Sequence, residues 1–312
     1  MAVKCAFLFP GQGSQAIGMG EDFFNNSDVA KEMVAKASER TGIDFETLLF
    51  KENDKLGQTE FTQPAILLVS AIAHKLFTDA VDSKPVLALG HSLGEFSALV
   101  AVGALDAIDA VELVNLRGKL MAEACAKQEV GMLVSLGLDD ETVEKICQEQ
   151  RDAGFQVWPV NYNADGQIVI AGIKKDLEAL VPILKEANAK RAMLLDMSVA
   201  SHCPLLESAS APLGAKLKEM LKETFTAPVV SNVTAQKYAS KAEALALLPK
   251  QLVEPVKYKQ SIASIDDEVD CYIEFGHGAV LKGLNKKATN KPHFNVSDMA
   301  SLKATIEAIR EL

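Results

Sequence analysis

Ser92 stands in Gly90-His91-Ser92-Leu93-Gly94, the Gly-x-Ser-x-Gly pattern of a nucleophile elbow. Composition alone yields such a pentapeptide in about one chain of this length in ten, so its surroundings carry the argument. Pro85-Val-Leu-Ala-Leu runs into it as a buried strand, and Glu95, a helix former, follows the second glycine. A tight strand-to-helix turn lifts the serine hydroxyl above a sheet beside a helix N-terminus, and the Leu93 amide is then one oxyanion donor. The alternative is a serine that merely caps a helix.

A serine nucleophile needs a base, and the chain has five histidines. His74 lies on an apolar helix and reads as a packing residue. His91 neighbours Ser92, so its side chain points elsewhere and supports the turn. His293 opens a strand near the C-terminus. His202, in Ser201-His202-Cys203-Pro204, and His277, between two glycines, both fall on loops; the residues alone favour His202 only slightly, and a structural role remains open for each. Arg117 is one of only five arginines, yet it shares a helical stripe with Val114 and Met121 at spacings of three and four. A cation on an apolar face requires an anionic partner: either an internal carboxylate or a substrate carboxylate held by the bidentate fork.

Gly11-Gln12-Gly13-Ser14-Gln15-Ala16 imitates a dinucleotide-binding turn. Ile17-Gly18-Met19-Gly20 interrupts the helix such a turn must open, and Glu32, where a strand-ending acid is needed, sits in a helical stretch. The loop is better suited to bring an amide to the Ser92 oxyanion.

These residues need a scaffold. Strand-length apolar runs alternate with amphipathic stretches, the pattern of an α/β protein with a mostly parallel sheet. Lys4 to Phe9 and Pro85 to Leu89 read as strands, Ser27 to Arg40, Gln63 to Thr78 and Ala107 to Lys127 as helices. Between Gly131 and Ser198 the order becomes strand (Met132 to Leu136), helix (Asp139 to Gln150), strands (Val157 to Tyr162, Gln167 to Ala171), helix (Lys174 to Asn188), strand (Arg191 to Met197), a split βαβ, ferredoxin-like unit. It is read as an insertion, 129–198, in a core made of 1–128 and 199–312. Helix Leu205 to Lys222, strand Pro228 to Asn232, helix Lys241 to Leu252, strand Cys271 to Phe275 and a helix from Ala300 complete that core.

The 312 residues carry a net charge of −10, which opposes nucleic-acid binding. Five scattered cysteines form neither a disulfide framework nor a zinc site. The N-terminus reads as no signal peptide, and no apolar run reaches membrane-spanning length, so a cytoplasmic location is expected.

With Gln12, Ser92, Arg117 and His202 assembled, the chain resembles, from end to end, the malonyl-CoA:acyl carrier protein transacylases of bacterial fatty acid synthesis. The resemblance rests on Phe-Pro-Gly-Gln-Gly-Ser-Gln at 9–15, Gly-His-Ser-Leu-Gly-Glu at 90–95, Arg117 with Met121, Val-Asn-Tyr-Asn around Asn161, Gly-Gln-Ile-Val-Ile-Ala-Gly at 166–172, Ser201-His202, Gln251-Leu-Val-Glu-Pro-Val and Glu-Phe-Gly-His-Gly at 274–278. It implies an α/β-hydrolase-like core with a ferredoxin-like insertion. It also implies Ser92 as nucleophile, His202 as base, a Gln251 carbonyl orienting His202, the Gln12 and Leu93 amides as oxyanion hole, Arg117 as clamp for the malonyl carboxylate, and His91, Met121 and Asn161 around the pocket. The implied reaction is ping-pong, from malonyl-CoA to the phosphopantetheine thiol of acyl carrier protein, with no cofactor or metal and a monomeric enzyme.

Carrier proteins are acidic, so a basic patch is expected near the pocket mouth. Lys282, Lys286, Lys287 and Lys291 are the candidates, with Lys190 and Arg191 next. The competing readings are a serine hydrolase or thioesterase on the same fold, a nucleotide-binding oxidoreductase resting on the Gly11 loop, and a non-catalytic carrier-protein-binding module.

Overall fold

A computed structural model describes residues 3–81, 83–197 and 199–312. Its strands, in chain order, are β1 (Cys5–Phe9), β2 (Leu87–Gly90), β3 (Val130–Leu136), β4 (Val157–Ala164), β5 (Gln167–Ile173), β6 (Arg191–Leu194), β7 (Val229–Val230), β8 (Lys237–Tyr238), β9 (Cys271–Phe275) and β10 (His293–Val296). They form two sheets. The six-stranded sheet has the order β10-β9-β1-β2-β7-β8 and is parallel except where β8 turns back on β7. The four-stranded sheet, β4-β5-β3-β6, is antiparallel and carries helices Asp140–Asp152 and Lys174–Glu186.

β1, β2 and β9 are buried at every position, as continuous apolar strands covered on both faces must be. The mixed α/β fold with a mostly parallel core and a ferredoxin-like unit is the one expected. The expected boundary at 198 falls on Ser198, and the first two residues of the core also lie outside the described residues.

Several elements differ in extent from the sequence reading. The helix expected from Gln63 spans Thr59–Ala80, with Pro64 inside it. Pro64 has no N–H to give the Glu60 carbonyl, and Asn115 Nδ2 from the neighbouring helix Ala107–Cys125 donates to that oxygen instead at 2.7 Å. The strand expected to reach Met197 ends at Leu194, and Leu195 and Met197 turn into a cleft. The helix expected from Leu205 begins as a 3₁₀ turn, Pro204–Leu206, and becomes α-helical over Glu207–Met220. The strand expected over Pro228 to Asn232 shortens to Val229–Val230, which leaves Asn232 beyond its end and free to bond elsewhere. Helices Phe45–Phe50, Tyr258–Ile265 and Val280–Asn285 were not expected; their lengths of six to eight residues give too few turns to establish a period.

Candidate active site

The elbow forms as the sequence demands. Gly90 ends β2, and Ser92 sits at φ 52, in the left-handed region, before helix Gly94–Ala101. Both glycines are required by packing: a Cβ on Gly90 would lie 1.9 Å from the Gly94 carbonyl carbon, and one on Gly94 would lie 2.0 Å from the Phe9 oxygen. Ser92 is held by Asn232, whose Oδ1 accepts the Ser92 amide at 2.7 Å and whose Nδ2 donates to the Gly90 carbonyl at 2.7 Å.

His202 is the histidine that reaches the serine. Its Nε2 lies 2.8 Å from Ser92 Oγ and its Nδ1 lies 2.5 Å from the Gln251 carbonyl oxygen. A carbonyl can only accept, so Nδ1 carries the hydrogen and Nε2 is left to take the Ser92 O–H. His202 has φ 62, strained for a non-glycine residue. Burial first, and the Arg117 charge second, push its pKa down to about 3, so the free imidazole is neutral at physiological pH. His277 does not line the cleft. His74 packs against Phe7, Phe9 and Phe275, and His91 turns from Ser92 to put Nε2 2.7 Å from Asn163 Oδ1 and its ring against Tyr258.

Arg117 is 1% exposed on helix Ala107–Cys125. Nη1 donates to Gln63 Oε1 at 2.7 Å; Nη2 donates to Gln251 Oε1 at 3.0 Å and to Ser92 Oγ at 3.2 Å. Its Nε has no partner, and among the described residues it forms no salt bridge. The internal carboxylate contact considered for Arg117 is therefore not made. Burial lowers its pKa to about 10, so it remains a cation aimed at the nucleophile.

Gln12 and Leu93 line the same cleft as Ser92, and among the described residues neither amide has a protein acceptor. The Gly11–Ala16 segment is irregular and opens no helix, so the dinucleotide turn is absent. Gly11 lies against the elbow, where a Cβ would be 2.4 Å from the His91 oxygen. The Gln12 side chain is tied to the clamp through Thr59 Oγ1 at 2.9 Å, which in turn accepts from Gln63 Nε2 at 2.9 Å. The cleft, about 240 Å³, is lined by Met121 and by the antiparallel sheet's Met132, Val134, Asn161 and Val169.

Sequence reasoning missed Gln63, Asn163 and Asn232, and saw Glu95 only as a helix former. Gln63 was findable by the logic that found Arg117, since it is a polar residue on an apolar helix. Asn232 had no signal, because its role depends on where β7 ends. Lys286 and Lys287 are exposed just beyond helix Val280–Asn285, whose Val280, Leu281 and Leu284 line the cleft. Lys291 is a poor docking candidate, because its ammonium donates to the Asp266 and Val269 carbonyls. No helix of the described residues is long and apolar enough to cross a membrane, and they contain no cluster of His, Cys, Asp and Glu able to hold a metal.

This arrangement, a histidine-activated serine facing free amides and an unpaired buried guanidinium, suits transfer of a carboxylated acyl group. Residues 6–307 match the acyl transferase domain family. A malonyl CoA-acyl carrier protein transacylase of Salmonella typhimurium is 40% identical over 284 residues, 90% of this chain and 92% of the relative. The crystal structure of the corresponding Helicobacter pylori transacylase is 45% identical and superposes with a TM-score of 0.96 over 99% of both chains. A malonyl-transacylase in complex with a type II PKS acyl-carrier protein is 38% identical, with a TM-score of 0.94 over 98% of this chain and 99% of that one. The chain belongs to the acyl transferase domain family, among its malonyl CoA-acyl carrier protein transacylases.

Proposed function

We propose that this enzyme transfers the malonyl group of malonyl-CoA to the phosphopantetheine thiol of an acyl carrier protein, for fatty acid biosynthesis, through an acyl-enzyme on Ser92. The observation that carries the acyl specificity is Arg117: a buried guanidinium with no carboxylate partner, donating to the oxygen of the nucleophile. A hydrolase of uncharged esters would have no use for it.

His202 Nε2 takes the Ser92 proton as Oγ bonds to the malonyl carbonyl carbon. The Gln12 and Leu93 amides receive the oxyanion, and each such donor contributes about 3 kcal/mol to the transition state. The carbon–sulfur bond then breaks and the proton passes from His202 to the CoA sulfur. The carrier thiol reverses these steps. Its proton goes to His202, its sulfur attacks the acyl carbon, and Ser92 recovers the proton.

The imidazolium formed on the way is opposed by the Arg117 charge, and a malonyl carboxylate on the guanidinium neutralises that opposition. The correct acyl group therefore helps its own base. His91, Met121 and Asn161 shape the pocket around it. Lys286 and Lys287 serve as the carrier's docking patch, and a cytoplasmic, monomeric enzyme completes the proposal.

Intact-mass measurement after mixing with malonyl-CoA is the test. A malonyl adduct that disappears in Ser92→Ala supports the reading, and no adduct on the native enzyme defeats it. Arg117→Ala should lose the preference for malonyl-CoA over acetyl-CoA.

A further inference from the structure

Glu95, on the first turn of helix Gly94–Ala101, is 1% exposed and lies immediately behind the nucleophile. Its Oε2 accepts from Gln251 Nε2 at 2.7 Å and from the Asn232 amide at 3.1 Å, while Oε1 meets the Tyr238 hydroxyl at 3.0 Å. Gln251 has a second connection. Its Oε1 accepts from Arg117 Nη2 at 3.0 Å, and its Nε2 also donates to the Ser92 carbonyl at 3.0 Å. One amide therefore separates a buried carboxylate from a buried guanidinium.

That separation has a consequence for charge. When Glu95 is ionised, it and Arg117 balance, without Glu95 occupying the guanidinium fork. When a carboxylated acyl group enters, two carboxylates share one cation in a region shielded from water. Either the arriving group is held less firmly than a lone Arg117 would hold it, or Glu95 takes up a proton. Tyr238 can serve both states, donating to a carboxylate or accepting from a carboxylic acid.

The geometry points to Glu95 as a specificity-determining positioning residue: acting through the Gln251 amide, it competes with the acyl carboxylate for the charge of Arg117 and so limits how tightly that group is clamped. The inference rests on the proposed malonyl transfer and gives it a direction. A transacylase must release its acyl group to a second thiol, and a clamp fully satisfied by malonyl alone would hold that intermediate back.

The titratable and charged groups facing Glu95 are Tyr238 and Arg117; Asn232 and Gln251 are neutral. Burial is the largest influence and raises its pKa to about 7 against the lowering effect of these neighbours. As pH rises through that value the ionised fraction grows, and competition for Arg117 grows with it.

Glu95→Gln tests this, because an amide turned with its oxygen toward Gln251 and Asn232 keeps those contacts and removes the charge. Acyl-enzyme formation is followed by intact mass with malonyl-CoA and with acetyl-CoA, from pH 5.5 to 8.5. In the native enzyme the malonyl-to-acetyl preference in kcat/KM is expected to fall as pH rises through about 7. In Glu95→Gln it should be flat with pH and, at pH 8, about fivefold higher. Acetyl-CoA absorbs any general damage, so the ratio isolates the charge.

A native ratio that does not fall with pH overturns the inference even if the variant fails to fold. So does a variant ratio that stays at or below the native one. A native enzyme that forms no malonyl adduct defeats the functional reading itself, and the inference with it.

Discussion

The two sheets contribute to the cleft in different ways. The ends of the parallel strands supply the nucleophile and groups around it, Gln12 after β1, Ser92 after β2 and Asn232 after β7, while the base, His202, comes from the loop between β6 and Pro204. The antiparallel sheet supplies shape, through Met132, Val134 and Val169, and one support, the Asn163 bond to His91. Loops leaving the same edge of a parallel sheet converge, so a few short connections place donors and nucleophile together. An antiparallel sheet presents alternate side chains from one face, which makes a wall. Chemistry and selection of the acyl group are thereby separated, with Arg117 reaching between them from helix Ala107–Cys125.

Substitutions can break this division. The largest effect is expected at the base: His202→Ala should lower kcat/KM for malonyl transfer on the order of 10⁴-fold, measured by steady-state kinetics. Loss smaller than tenfold would mean that another group activates Ser92.

Next comes a matched pair of asparagines. Asn232→Ala strands the part-buried Ser92 amide and the buried Gly90 carbonyl, and should cost about 1–3 kcal/mol of stability together with at least tenfold in acyl-enzyme formation. Asn163→Ala removes the single bond to His91 and should cost about 1 kcal/mol with less than tenfold in rate. Denaturant unfolding and burst kinetics on both variants decide the matter. Equal losses would erase the distinction between the two layers.

The smallest effect lies outside the cleft. Reversing charge at Lys286 and Lys287 should raise the KM for carrier protein severalfold and leave that for malonyl-CoA unchanged. An unchanged carrier KM removes the patch.

Much of the reacting edge was legible in the residues. Ser92 announced itself because a tight elbow admits few residue types, and Arg117 because a cation on an apolar stripe is out of place. The ferredoxin-like order was readable because period-2 and period-3.6 segments alternate clearly there. Short helices and the ends of β6 and β7 were not, since packing against neighbours ends them and no residue type marks the stop. The Pro64 break shows the same dependence. Whether helix Thr59–Ala80 tolerates it turns on Asn115, more than 50 positions away in the chain and adjacent only in space.

By itself the sequence determined which side chains were available: a serine in a tight turn, two loop histidines, a sparse arginine, and an amide-bearing loop after the first strand. The tertiary structure makes the pairings: His202 against Ser92 and the Gln251 carbonyl against His202, as the family resemblance implied, and the Gln251 side chain on Arg117 and Glu95 with Asn232 under Ser92, which no residue pattern marked. Local periodicity records what each segment buries, but a hydrogen bond between residues 110 or 140 positions apart exists only once the elements around the cleft have packed together.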